Sequence, residues 1–153
     1  MKTVFDNQIL HQLINRANNL NDDAVAQWGI MNVHQMVEHC ILTEKLFLGE
    51  LKLKRVFIGR FIGRKALIDL LKDDTPLMKN APTDQVLKTF RNGNIETLKP
   101  EWINLLNQYK IRDSLNFENF IHPFFGKMTK KQLGEFVYKH IDHHLRQFSC
   151  NLL

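Results

Sequence analysis

The histidines near the C-terminal end of the chain, His140, His143 and His144, are the residues whose type and spacing most directly suggest chemistry. A helix turns by about 100° per residue, so His140 and His144 lie about 40° apart on successive turns of one face. Two imidazoles placed in this way form half of a site for a divalent transition metal, and a tetrahedral or octahedral shell draws at least one more ligand from elsewhere. His39 is the candidate for that third position. His143 lies about 60° from His140 and about 100° from His144, so the three histidines of this one segment do not converge. Leu133, Phe136, Val137 and Phe148 share a stripe with His140 and His144 and leave His143 at its edge, so the pair points into a core. His34, five residues before His39, is about 140° away around its helix and falls outside the site. On spacing alone, metal ligation and a role as hydrogen-bonded core histidines are equally served.

The elements that must position these residues can be read from apolar periodicity. Phe5, Ile9, Leu10, Leu13 and Ala17 predict a first helix over 4–20, closed by the Asn and Asp cluster at 18–23. Asn32 caps a second helix over 33–51, which places His39 on one face with Met36, Thr43 and Leu46. Residues 73–83, with Pro76 and Pro82, form an extended connection whose Thr83 caps the next helix. A third helix is predicted over 84–109 from Leu87, Phe90, Ile95, Leu98, Trp102, Leu105 and Tyr109, with a kink or a restart at Pro100. The segment 111–125 has no clear period and ends in an aromatic-rich loop, after which Thr129 caps a fourth helix within 128–152. The expected fold is all-α, a four-helix bundle in one domain over 1–153, with a long connection and room for an extra short helix between the second and third helices. No strand is predicted.

At 153 residues and a formal charge of +5, the chain is long enough to bury a core without disulfide staples. Cys40 and Cys150 sit in apolar runs without paired spacing and read as free thiols of a reducing compartment. The opening MKTVFDNQIL lacks the apolar centre of a signal peptide and no apolar run approaches the length of a membrane span, so the expected location is the cytoplasm.

Several blocks together resemble the DinB-like superfamily, and within it an uncharacterised branch. They are Trp28-Gly29, Gln35-Met36-Val37-Glu38-His39, the stretch from Pro76-Leu77-Met78-Lys79 to Asn80-Ala81-Pro82-Thr83, His122-Pro123-Phe124-Phe125-Gly126 with Met128-Thr129, and Tyr138-Lys139-His140-Ile141-Asp142-His143-His144-Leu145-Arg146-Gln147-Phe148. The resemblance covers nearly the whole chain, and its last block is the most specific. It implies a bundle in which a histidine of helix two and a His-x-x-x-His pair of helix four hold a divalent metal, here His39, His140 and His144, with zinc or nickel as the leading ions. It also implies an enzyme acting on a small molecule, a transferase using a low-molecular-weight thiol or a hydrolase using water, and it allows a homodimer. Three neutral imidazoles leave coordination positions at which thiol or water loses a proton near neutral pH. His143, Gln147 and His122 are candidate catalytic helpers that orient groups or shuttle protons, against plainer readings of Gln147 as a surface amide and His122 as a loop residue. Glu38 and Asp142 are candidates to hold the far ring nitrogens of the ligands.

The competing function is a non-enzymatic binding module. Between Leu51 and Ile68 there is no acid but six bases, Lys52, Lys54, Arg55, Arg60, Arg64 and Lys65, threaded among Val56, Phe57, Ile58, Phe61 and Ile62. If this tract is helical, Gly59 and Gly63 stack on a narrow side that admits another backbone. It offers an anionic partner a surface, the histidines then being structural; the favoured reading is plainer, a segment packed through its aromatics with its charges in water. No nucleic-acid motif accompanies the tract, so nucleic acid is not an expected partner. A Gly-rich phosphate loop, a His-Glu-x-x-His helix and a Gly-x-Ser-x-Gly turn are all absent from the sequence, which leaves nucleotide hydrolysis, zincin proteolysis and serine esterase chemistry without support.

Overall fold

The computed structural model describes residues 1–111, 117 and 120–150. Helix α1 (Asn7–Asn18) starts where the Asp6 carboxylate accepts the backbone N–H of Gln8 and Ile9. It is shorter than predicted because Val4 donates its N–H to the Gly134 carbonyl and is itself buried in the core. Helix α2 (Val33–Phe47) carries the predicted Asn32 cap, in a capping box closed by Gln35. It stops before Leu51 at Gly49, whose φ of +79° is the left-handed conformation glycine adopts freely, and the N–H groups of Glu50 and Leu51 turn back to the Lys45 carbonyl.

The extra short helix is α3 (Gly59–Leu70). Its aromatics do not pack inward as the favoured sequence reading has it. Gly59 and Gly63 take the inner side and lie against the Phe124 carbonyl; a Cβ on Gly63 would stand 3.1 Å from the Phe125 Cα. That close approach fixes the roll of the helix and turns Phe57, Phe61 and Ile62 into solvent.

Residues 84–98 are not the start of a long helix. They form two 3₁₀ turns, Gln85–Leu87 and Ile95–Thr97, and the first is capped by Asp84 rather than Thr83. Gly93, between Asn92 and Asn94, breaks the helix, Asn94 caps the second turn, and the Asp22 carboxylate accepts the Ile95 N–H at 2.8 Å. Phe90, which the periodicity places on the apolar stripe, is exposed. Helix α4 (Lys99–Ile111) then starts afresh with Pro100 in its first turn, where a missing N–H costs nothing.

One feature runs against the all-helical expectation, a hairpin of β1 (Ile121–His122) and β2 (Gly126–Lys127), which pair antiparallel with His122 opposite Gly126. Its turn is held from within, since His122 Nδ1 accepts the N–H groups of Phe124 and Phe125 at 3.1 and 3.3 Å. The remainder of the aperiodic segment, 112–116, 118 and 119, and the end of the predicted fourth helix, 151–153, lie outside the described residues. Helix α5 (Lys130–Gln147) has the predicted Thr129 cap, boxed by Gln132.

The class is all-α. Helix α2 packs on α4 and α5, and α1 packs on the same two, around a core that includes Leu10, Met36, Trp102, Leu106 and Ile141; α3 packs on β2 instead. Among the described residues no helix is long and apolar enough to cross a membrane. Cys40 and Cys150 are free thiols.

Candidate metal centre

Helix α2 presents His39 to the face of α5 that carries His140 and His144, and the three rings crowd together with centroids 4.7, 4.9 and 5.3 Å apart. One nitrogen from each of the three lies within 4.8 Å of those of the others. The structure thus brings together the three residues whose spacing suggested a site, and leaves His34 outside, beside Gly93.

The hydrogen bonds around the rings decide where their lone pairs point. His39 Nδ1 lies 2.8 Å from the Leu87 carbonyl, an acceptor, so Nδ1 carries the proton and Nε2 the free lone pair. His144 Nδ1 lies 2.9 Å from Gln147 Oε1, while Gln147 Nε2 donates to the Trp28 carbonyl at 2.7 Å. The Trp28 carbonyl therefore fixes the amide orientation, the amide oxygen takes the His144 proton, and His144 Nε2 is left free as well. His39 Nε2 stands 3.3 Å from His140 Nε2. Two nitrogens each about 2.05 Å from one ion at the tetrahedral angle are about 3.3 Å apart, so the pair is already at ligand spacing. His140 Nδ1 is buried with no hydrogen-bond partner among the described residues.

Burial suits the rings to this task. It holds His39 below its ordinary value against the pull of the Leu87 carbonyl. His140 is held well below by burial and then by the charges His144 and His39 would carry, and His144 well below by burial and then His39. All three are neutral at pH 7, the only state in which imidazole binds a metal. His140 keeps a partly exposed edge while His39 and His144 are buried, so the cluster opens to solvent on the His140 side. That side is walled by Phe47, edge-on to His140 at 5.8 Å, and by Phe136.

The candidate helpers fall in different places. Gln147 is 3% exposed, so it is no surface amide; it orients His144. The Trp28-Gly29 pair explains how it reaches: Gly29 has a φ of +81°, and a Cβ there would stand 2.8 Å from Gln147 Nε2. His143 is outside the cluster, half-buried, edge-on to Trp28 at 5.4 Å and to His144 at 5.2 Å. Burial lowers its pKa, offset by a hydrogen bond to the Leu77 backbone. His122 sits behind the wall, stacked on Phe47 with centroids 6.3 Å apart. Burial, and then the Arg55 charge, bring its pKa to about 4, and its Nδ1 is engaged in the hairpin turn, so at neutral pH it offers an Nε2–H donor and no base.

Glu38 and Asp142 do not hold the far ring nitrogens. Glu38 accepts from the Thr89 hydroxyl and pairs with Arg91 at 3.1 Å. Asp142 is clamped at 2.7 Å by both Arg16 and Arg146, on the side of α5 that faces α1. The group that does hold His39 is a backbone carbonyl in a 3₁₀ turn, for which the sequence carries no side-chain signal. Comparisons with protein-family models, with curated proteins and with solved structures find no match.

Proposed function

We propose that His39, His140 and His144 hold one divalent transition metal, zinc or nickel first among the candidates, and that the protein is a metal-dependent enzyme of the DinB-like type acting on a small molecule. The ring of contacts among α1, α2, α4 and α5 supports the four-helix bundle that this reading requires. The observation that carries it is that one nitrogen from each of the three rings lies within 4.8 Å of the others, with Nδ1 of His39 and of His144 each anchored by a fixed acceptor.

A bound divalent ion with open positions supplies Lewis acidity, bringing a thiol or a water within reach of deprotonation near pH 7. The chain's own residues do the remainder. Leu87 and Gln147 hold two imidazoles in the ligating tautomer. Phe47 and Phe136 line the side on which His140 meets solvent and offer an apolar wall to a substrate with an apolar part. His143, outside the cluster but edge-on to His144, is the nearby imidazole that can accept a proton released there.

The test is metal content by plasma mass spectrometry on untagged protein. One equivalent of metal per chain, lost in both His39→Ala and His140→Ala, is the expected result and opens a screen of small thiols with electrophiles. Protein that carries no metal and takes up neither zinc nor nickel overturns the reading and leaves the three histidines as packing residues.

A further inference from the structure

Helix α3 and the turn before it form a surface that the metal centre does not use. Phe57 and Phe61 are 73% and 72% exposed although their rings touch edge-on at 5.3 Å, and Ile58, Ile62 and Ile68 are at least half exposed beside them. Around the helix Phe61 and Ile68 lie opposite the glycine side, with Arg60 and Arg64 together on one flank, about 100° and about 60° from Phe61. The helix is therefore apolar on two sides: Gly59, Gly63 and Leu67 are buried against the protein, while Phe61, Ile62 and Ile68 face water, from which an apolar phase would remove them.

We propose that this face docks on an anionic lipid surface, with Phe57, Phe61 and the neighbouring isoleucines entering the headgroup–acyl boundary and Lys54, Arg60, Arg64 and Lys65 meeting lipid phosphates. Charge complementarity selects this occupant. There is no acid from residue 51 to residue 68; Asp69, Asp73 and Asp74 come only at the far end of the helix. A two-fold contact with a second copy would set these cations against themselves. A nucleic acid would answer the charges but leave exposed aliphatic isoleucines, which offer no stacking plane, in contact with a polar backbone. An anionic bilayer satisfies both, as interfacial helices with a basic flank do. The helix has 12 residues, enough to lie in an interface and too few to cross one.

Co-sedimentation of the full chain with phosphatidylcholine vesicles, with and without a third of phosphatidylglycerol, tests this at an ionic strength of about 0.1 M. The expected result is binding to the anionic vesicles at least tenfold tighter than to the neutral ones. Phe57→Ser/Phe61→Ser and Arg60→Glu/Arg64→Glu should each lower it at least tenfold while the far-ultraviolet circular dichroism stays that of the parent. Because these residues are exposed, unfolding is not expected, and Phe61→Trp gives an independent readout as a blue-shifted emission on anionic vesicles alone. Equal binding to both vesicle types, no binding to either, or binding indifferent to the phenylalanine pair overturns the proposal. So does a concentration-dependent dimer in sedimentation velocity that the same phenylalanine variant abolishes, since a second copy then covers the face.

Discussion

Helix α2 buries polar groups on two sides, and they obey different rules. Toward α5 it offers His39, one of three rings that bring a nitrogen each within 4.8 Å of the others. Toward α4 it offers Glu44, fully buried, which accepts the Tyr109 hydroxyl at 2.5 Å through one carboxylate oxygen while the other has no partner among the described residues. Burial raises Glu44 to about 8, against the opposing effect of that hydroxyl. Both clusters consist of ionisable groups kept neutral by desolvation. The difference lies in convergence: several lone pairs aimed at one point ask for a cation, whereas a single carboxyl beside a phenol solves its problem by keeping its proton.

The sharpest way to break this contrast is to remove a ligand. His39→Ala and His140→Ala should each weaken zinc or nickel binding by about 100-fold or more, whereas Glu44→Gln should leave it unchanged, as read by competition with a chromogenic chelator. If Glu44→Gln releases the metal, the two sides of α2 are one site. Next in size, metal at about 100 times its dissociation constant should stabilise the fold by about 2.7 kcal/mol. In a domain of this size that corresponds to a rise in Tm of about 5–10 °C, to be measured by calorimetry with and without chelator. Gln147→Leu should cost about 10-fold to 100-fold in metal affinity, because His144 loses the acceptor that fixes its tautomer.

The smallest effect belongs to the carboxyl. An acid whose folded-state pKa is raised destabilises the fold once the unfolded chain ionises, so the contribution of Glu44 is most favourable below about 4.5, worsens as the pH rises to about 8 and is level above. Glu44→Gln keeps an acceptor for Tyr109 and cannot ionise. Linkage between about 4.5 and about 8 puts the burden at about 4 kcal/mol at pH 8, and the buried amide N–H groups left without an acceptor return about 2 kcal/mol of it. The variant should therefore gain about 2 kcal/mol at pH 8 and flatten the pH dependence between those limits in urea titrations. A variant as pH-dependent as the parent would mean that the burden lies elsewhere.

Periodicity sufficed for the gathering of His39, His140 and His144, because an i, i+4 pair and an inward residue on another helix are visible in one dimension, and caps such as Asn32 and Thr129 carry local chemistry of their own. The support of the site was less legible. The Leu87 carbonyl reaches His39 only because the chain winds into short 3₁₀ turns there, while Leu87, Ile95 and Leu98 mimic a helical stripe through Gly93. The orientation of α3 was half legible: the glycine pair did announce a close backbone approach, but two phenylalanines pull the expectation inward, and only the Phe124 carbonyl shows that small residues have won that side. Glu38 was misplaced because adjacency to His39 in sequence puts it about 100° away around the helix, and Asp142, two residues from both His140 and His144, lies about 160° from each and faces other partners.

The link from His144 through Gln147 to Trp28 gives the molecule an optical probe of its own. Trp28 is half-buried, with the Lys79 ammonium 4.3 Å above its ring and His143 at its edge, whereas the other tryptophan, Trp102, is sealed in the core. The emission of Trp102 is a fixed internal reference, and that of Trp28 follows any turn of the amide that grips both its carbonyl and a ligand. An ion taken up by the three histidines would therefore be felt at a chromophore two hydrogen bonds away, and its titration would be followed in native protein by light alone, before any substrate is known.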